Sequence, residues 1–313
     1  MHPSKSIIFF TVISGTGYGI FIGLLFNMIF INISYSFEYK LFLSCSSFLM
    51  VSIGLLSSTF HLGHPERAWR AFSQWKTSWL SREGLAAIIT FIPMICFYFF
   101  WIMNFKGQLY LLLITNILSI ITIFCTGQMY ASLKTIPAWN NILVTPIYIL
   151  NGITLGALFV YSINFYFNYN FDLFEKFVCM ILIINFIIKI VYWISIRKKS
   201  NTNIKSAVGI KSKDISFFEG PHTGKNFLTT EMVNSLSKQN GNFLRIVFCI
   251  LTFITPLYMI NQYSSLVADQ LIIKLSMLFV FILALLGMLI ERYLFFIQSK
   301  HVVSLYYGYK SIK

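Results

Sequence analysis

LIIKLSMLFVFILALLGMLIERYLFFI, residues 271–297, decides the fold class. From Leu271 to Ile290 the only charged side chain is Lys274. A helix rises 1.5 Å per residue, so about 20 mostly apolar residues cross the hydrocarbon core of a bilayer. In that medium the backbone must satisfy its own hydrogen bonds, which a helix does within one segment. The charges return together at Glu291 and Arg292, near the end of the run.

Seven further stretches have the same character. With the first they predict an all-α polytopic bundle of about eight transmembrane helices. Their bounds are about 7–31, 40–60, 84–105, 108–130, 145–167, 174–196, 242–263 and 271–297. We read the whole chain, 1–313, as one integral-membrane domain. The first run is longer than the apolar core of a signal peptide, roughly 7–15 residues, so we expect it to be a retained helix.

Composition agrees. The chain is 57% hydrophobic and 11% charged, against about 25% charged in soluble domains. Mean hydropathy is +0.73. The net charge of +14 would suggest nucleic acid in a soluble protein, but here the bases lie mostly between apolar runs. Nucleic-acid binding is therefore not expected, and contact with anionic lipid headgroups is.

An even number of helices puts both termini on one side, called side A here. That side also holds the longer connections at about 61–83, 131–144 and 197–241. It carries nineteen of the 24 Lys and Arg residues. The other side has Lys40, Lys106, Lys176 and Lys274, and Lys189 lies within helix six. The positive-inside rule predicts that side A, with both termini, is cytoplasmic. Lys189 is expected to snorkel toward it.

The five cysteines, Cys45, Cys96, Cys125, Cys179 and Cys249, lie in apolar runs without ligand spacing, so no iron–sulfur cluster or structural metal is expected. A membrane haem would need axial ligands, most simply two histidines on facing helices. His2, His61, His64, His222 and His301 all lie away from mid-helix positions, so no haem is expected. The polar connection 197–241 contains Phe217, Phe218 and the run His222-Thr223-Gly224-Lys225-Asn226-Phe227-Leu228, whose bulky residues suggest docking.

Ionisable groups in membrane helices are costly and mark function by default. His61 closes helix two, Glu83 opens helix three, and Glu291 and Arg292 end helix eight, all near side A. A carboxylate at a helix start is also favoured by the dipole alone, by about 0.3–1 kcal/mol. Taken together, a histidine, a carboxylate and arginines at one face suit a lipid-soluble quinol. Its oxidation releases two electrons and two protons, and the protons need an acceptor. Trp69, Trp75, Trp79 and Trp139 are candidates for the pocket wall.

The motifs in this region resemble the membrane anchor subunit of anaerobic dimethyl sulfoxide reductase. The resemblance rests on four blocks in order. The first is His61-Leu62-Gly63 with Pro65, Arg67-Ala68, Ser81 and Glu83. The second is Thr135-Ile136-Pro137-Ala138-Trp139 with Thr145-Pro146. The third is His222 to Leu228 with Glu231-Met232, and the fourth is Glu291 to Phe296 with His301-Val302-Val303 and Leu305 to Gly308. It implies eight helices and a complex with two partners, a molybdopterin catalytic subunit and a four-cluster, ferredoxin-like iron–sulfur subunit. It further implies that the anchor oxidises menaquinol in the bacterial inner membrane and passes the electrons on, with no redox cofactor of its own. By that resemblance His61, Arg67 and Glu83 bind quinol, while His64, Glu291 and Arg292 support the site. His64 departs from relatives, which often have a small residue there. Two other readings stand beside this one. A secondary transporter would need a repeat or a broken helix, for which Asn151-Gly152 and Gly156 are the nearest soft point. A structural tether would have no quinol site.

Overall fold

In the computed structural model, residues 4–31, 33–61, 64–169, 171–198, 203–209, 238–263 and 271–307 are described. The helices are α1 (Lys5–Phe30), α2 (Phe37–Ser57), α3 (Trp79–Ile102), α4 (Gln108–Ala131), α5 (Val144–Tyr166), α6 (Asp172–Lys198), α7 (Ile204–Val208), α8 (Lys238–Cys249), α9 (Thr255–Tyr263) and α10 (Leu271–Ile297). Among the described residues, eight helices are long and apolar enough to cross a membrane. They are α1 to α6, the continuous α8–α9 segment, and α10. These follow the expected runs, but α3 begins at Trp79 rather than near residue 84. Glu83 therefore sits one turn inside the helix instead of opening it.

Small residues set the central packing. Gly15, Gly19 and Gly23 recur every fourth residue on α1 and meet Gly152, Ala157 and Val160 on α5. A Cβ on Gly19 would run into the Gly152 carbonyl, and one on Gly156 would run into the Gly19 backbone. Lipid supplies no hydrophobic drive between helices, so this close van der Waals approach is what joins them. Gly152 and Gly156 are thus packing contacts in an unbroken α5 and not a soft point. Gly54 brings α2 against Ser14 of α1, and Gly127 brings α4 against Thr145 of α5.

The α3–α4 hairpin turns at Asn104 and Gly107, which have φ of 57° and 96°. Glycine adopts that backbone without a Cβ penalty. Lys40 of α2 donates to Asn104 there, on the side opposite side A.

The seventh span carries a single π turn, Ile250–Ile254. The cause is Pro256, which has no N–H and whose ring crowds the carbonyl four residues back. The Thr255 amide bonds to the Ile250 carbonyl instead, and the extra residue is absorbed there. The turn packs on α10 at Gly287, where a Cβ would run into Thr252.

The connection between α2 and α3 is not a plain loop. It forms two 3-10 segments, Ser58–His61 and Pro65–Gln74. The segment 210–237, with the His222–Leu228 and Glu231-Met232 motifs, lies outside the described residues.

Candidate functional site

Side A gathers the sequence motifs. The Trp139 indole donates to the Phe295 carbonyl at 3.0 Å, and the Val302 amide donates to the Thr135 carbonyl at 2.9 Å. Trp139 stacks on Phe295 with centroids 5.5 Å apart, and Tyr130 and Phe296 close the cluster. Trp139 is therefore part of the core. Trp69 and Trp75 are exposed.

Glu83 is buried, with 4% of its surface exposed. It faces α4, where the Thr126 hydroxyl donates to its Oε1 at 2.6 Å. Among the described residues its Oε2 has no protein partner. Thr126 thus engages the carboxylate from a neighbouring helix, so the dipole of α3 is not the whole account of it. Glu83 lines a cavity of about 10 Å³ formed by α1, α2, α3, α4 and α5.

Its neighbour Arg82 turns outward. The guanidinium donates to the carbonyls of Trp75 at 2.9 Å and Lys76 at 2.6 Å, and lies 4.3 Å from the Trp79 ring centroid. This clamp holds the end of the α2–α3 connection against the start of α3. Upstream, His64 and Arg67 are 68% and 58% exposed at the side chain. His64 Nδ1 is 3.0 Å from Glu66 Oε1. His61 belongs to the first 3-10 segment, but its side chain lies outside the described residues. Glu83 is therefore inside the bundle while Arg67 and His64 are on its surface.

A second polar cluster lies close by. Glu291 of α10 pairs with Lys189 of α6, and its Oε2 is 3.5 Å from Arg292 Nε. Asn151 Nδ2 donates to the same Oε2 at 3.4 Å, and Asn185 extends the network to Asn151 and Thr154. Lys189 does not snorkel. It is 3% exposed, because Glu291 offers a charge partner inside the bundle. The Arg292 guanidinium lies 3.5 Å from the Tyr148 ring centroid, a cation–π contact in a desolvated setting. Tyr148 also lines the Glu83 cavity, so it stands between the two clusters. The sequence gives no sign of Tyr148, and from it Lys189 is expected to snorkel. A lysine eight residues before Arg197 looked free to reach water, and only an acidic partner on another helix could have said otherwise.

On the outer side of α1 and α2, an open apolar groove of about 600 Å³ is lined by Lys5, Ser6, Phe9, Ile53, Leu56, Ser57 and Phe60. Phe10, Thr11 and Leu55, their chain neighbours, line the Glu83 cavity.

The family described as DMSO reductase anchor subunit (DmsC) matches residues 1–308. The chain is 26% identical to a sulfite dehydrogenase subunit from Allochromatium vinosum, over 98% of its own length and 99% of the relative's. It is also 26% identical to a component of anaerobic dimethyl sulfoxide reductase from Haemophilus influenzae, over 48% of this chain and 56% of the relative.

Proposed function

The chain belongs to the DMSO reductase anchor subunit family, and from that premise we propose that it exchanges electrons between menaquinol and a partner subunit at side A. The quinol gives up two electrons and two protons and becomes the quinone. The electrons pass to a four-cluster, ferredoxin-like iron–sulfur subunit, and from it to a molybdopterin catalytic subunit. Glu83, Arg67 and His61 serve the quinol, with His64, Glu291 and Arg292 in support. The bundle sits in a bacterial inner membrane with side A and both termini in the cytoplasm. A reporter fused to the C-terminus, active only in one compartment, tests that orientation.

The observation that carries this reading is Glu83. It is a buried carboxylate with one oxygen free of protein partners, at the end of the bundle where the basic α2–α3 connection lies. A proton acceptor shielded from bulk water is what quinol oxidation requires. The open apolar groove of α1 and α2, lined by Lys5, Ser57 and Phe60 near the same end of the bundle, offers a lipid-soluble molecule a surface to lie on.

The test compares two activities of the purified complex, quinol-dependent turnover and turnover of the catalytic subunit with an artificial dye. Glu83→Gln is expected to lower the first by about 10²-fold or more, the usual range for a lost acid–base group, and to leave the second unchanged. Full quinol activity in Glu83→Gln and Arg67→Gln would sink the proposal, and equal loss of both activities would mean an assembly defect.

The relative that spans the whole chain is named for a dehydrogenase, which favours a second direction of flow, from the partner into quinone. The same side chains would then supply protons instead of accepting them. Substrate-driven quinone reduction by the purified complex separates the two directions.

A further inference from the structure

The cavity beside Glu83 collects hydroxyl and carboxyl groups from four helices. Most are already committed. Thr11 donates to the Ile7 carbonyl at 3.0 Å, Ser14 to the Phe10 carbonyl at 2.6 Å and Thr122 to the Leu118 carbonyl at 2.9 Å. Thr126 donates to Glu83 Oε1. Three polar atoms of residues that line this cavity have no protein partner among the described residues: Glu83 Oε2, the Tyr148 hydroxyl and the Tyr18 hydroxyl. Tyr18 lies beside Thr122 but outside hydrogen-bond geometry with it. All three side chains are at least nine-tenths buried.

Three orphaned groups on one small cavity make a strong geometric demand. Buried polar atoms are ordinarily paired, with protein or with ordered water. The volume of about 10 Å³ is that of about one water-sized probe, and a buried water typically makes about three hydrogen bonds. We propose that the cavity is a binding site for one water molecule, which donates to Glu83 Oε2 and accepts from the hydroxyls of Tyr148 and Tyr18. That arrangement satisfies all three groups at once.

The water fixes the rotamer of Glu83 from the side opposite Thr126, so Tyr18 and Tyr148 are positioning residues for that carboxyl. It also joins Glu83 to the ion cluster, since the Tyr148 ring carries the Arg292 guanidinium on its face. The kinetic consequence rests on the quinol reading above, whereas the water site itself does not.

The test has three parts, all on the intact purified complex. An experimental map that resolves waters is expected to show a peak within hydrogen-bond distance of Glu83 Oε2 and both hydroxyls. A dry cavity, or a Glu83 side chain turned away from it, would overturn the proposal. In H2O/D2O difference infrared spectra, the Glu83 carboxyl band is the one lost in Glu83→Gln. Tyr148→Phe and Tyr18→Phe, which remove only a hydroxyl, are expected to shift that band without abolishing it, and an unmoved band in both overturns the proposal. If Tyr148→Phe does not assemble, Tyr18→Phe and the wild-type map decide the matter. In quinol turnover, Tyr148→Phe is expected to lower kcat about fivefold, the effect of one lost hydrogen bond to a neutral water, with KM nearly unchanged. If the water and the band shift are found while Glu83→Gln turns over quinol normally, the water site stands and the quinol reading falls.

Discussion

Lys189 and Glu291 form an ion pair between α6 and α10 inside the apolar bundle, with 3% and 1% of each residue exposed. Neither charge reaches bulk water, and Glu291 is the carboxylate that both Lys189 and Arg292 face.

Removing Glu291 leaves Lys189 and Arg292 without their carboxylate in a medium that solvates charge poorly, a loss of about 3–5 kcal/mol, whereas removing Lys189 leaves Glu291 with Arg292 and costs less. Glu291→Gln is expected to lower the Tm of the purified protein in detergent by several degrees, and Lys189→Met by less. The double variant Lys189→Met/Glu291→Leu removes the pair but leaves Arg292 without its carboxylate, so its loss is expected to be less than the sum of the singles without vanishing. A double variant whose loss equals the sum of the singles would mean that the pair has no coupling.

The α1–α5 contact predicts an uneven response to single methyl groups. Gly156→Ala places a Cβ against the Gly19 backbone, which cannot move aside without parting two helices. Little folded protein is expected on size-exclusion chromatography. Gly107→Ala meets no atom but forces a left-handed residue, at a cost of about 1 kcal/mol. Its folded yield is expected to stay near that of the parent.

Arg82 predicts a local effect at the surface. It binds two carbonyls of the α2–α3 connection and stacks on Trp79. Arg82→Lys keeps the charge but loses the planar fork and the stacking face. Faster amide exchange across 65–78 is expected in Arg82→Lys as well as in Arg82→Ala. Normal protection in the lysine variant would show that charge alone suffices.

His301 predicts a pH effect just beyond the last span. Its Nδ1 accepts from the Val303 amide at 3.1 Å, and partial burial holds its pKa below the usual histidine value. The neutral ring is thus favoured in the folded state. The stabilisation is complete above the unfolded pKa, near 6.5, and is lost as pH falls through the folded value. Amide exchange at Val303 is expected to quicken, relative to the intrinsic rate, between pH 7.5 and pH 5.5. His301→Asn, with a side chain that does not titrate, is expected to remove that dependence.

The fold and the site were not equally legible in the sequence. Eight apolar runs of spanning length follow from hydropathy alone, because lipid leaves the backbone no alternative to the helix. Glu83 stood out for the same reason, as a charge at the edge of such a run. The helix start was misplaced by five residues, since Trp79 and Leu80 precede two polar residues and look interfacial. Gly152 and Gly156 looked like a weakness in α5 because a glycine's packing role depends on the helix opposite it.

What the sequence determined by itself was therefore the number and extent of the spans, the family motifs, and the end of the bundle where ionisable groups collect. Only the tertiary structure decided which of those groups are inside. Arg67 and His64 lie at the surface, while Glu83, Lys189 and Glu291 are enclosed. The physical reason is that burial and pairing depend on contacts between distant helices. Lys189 finds Glu291 across 102 positions of sequence, and Glu83 finds Thr126 across 43, and no local pattern specifies such partners.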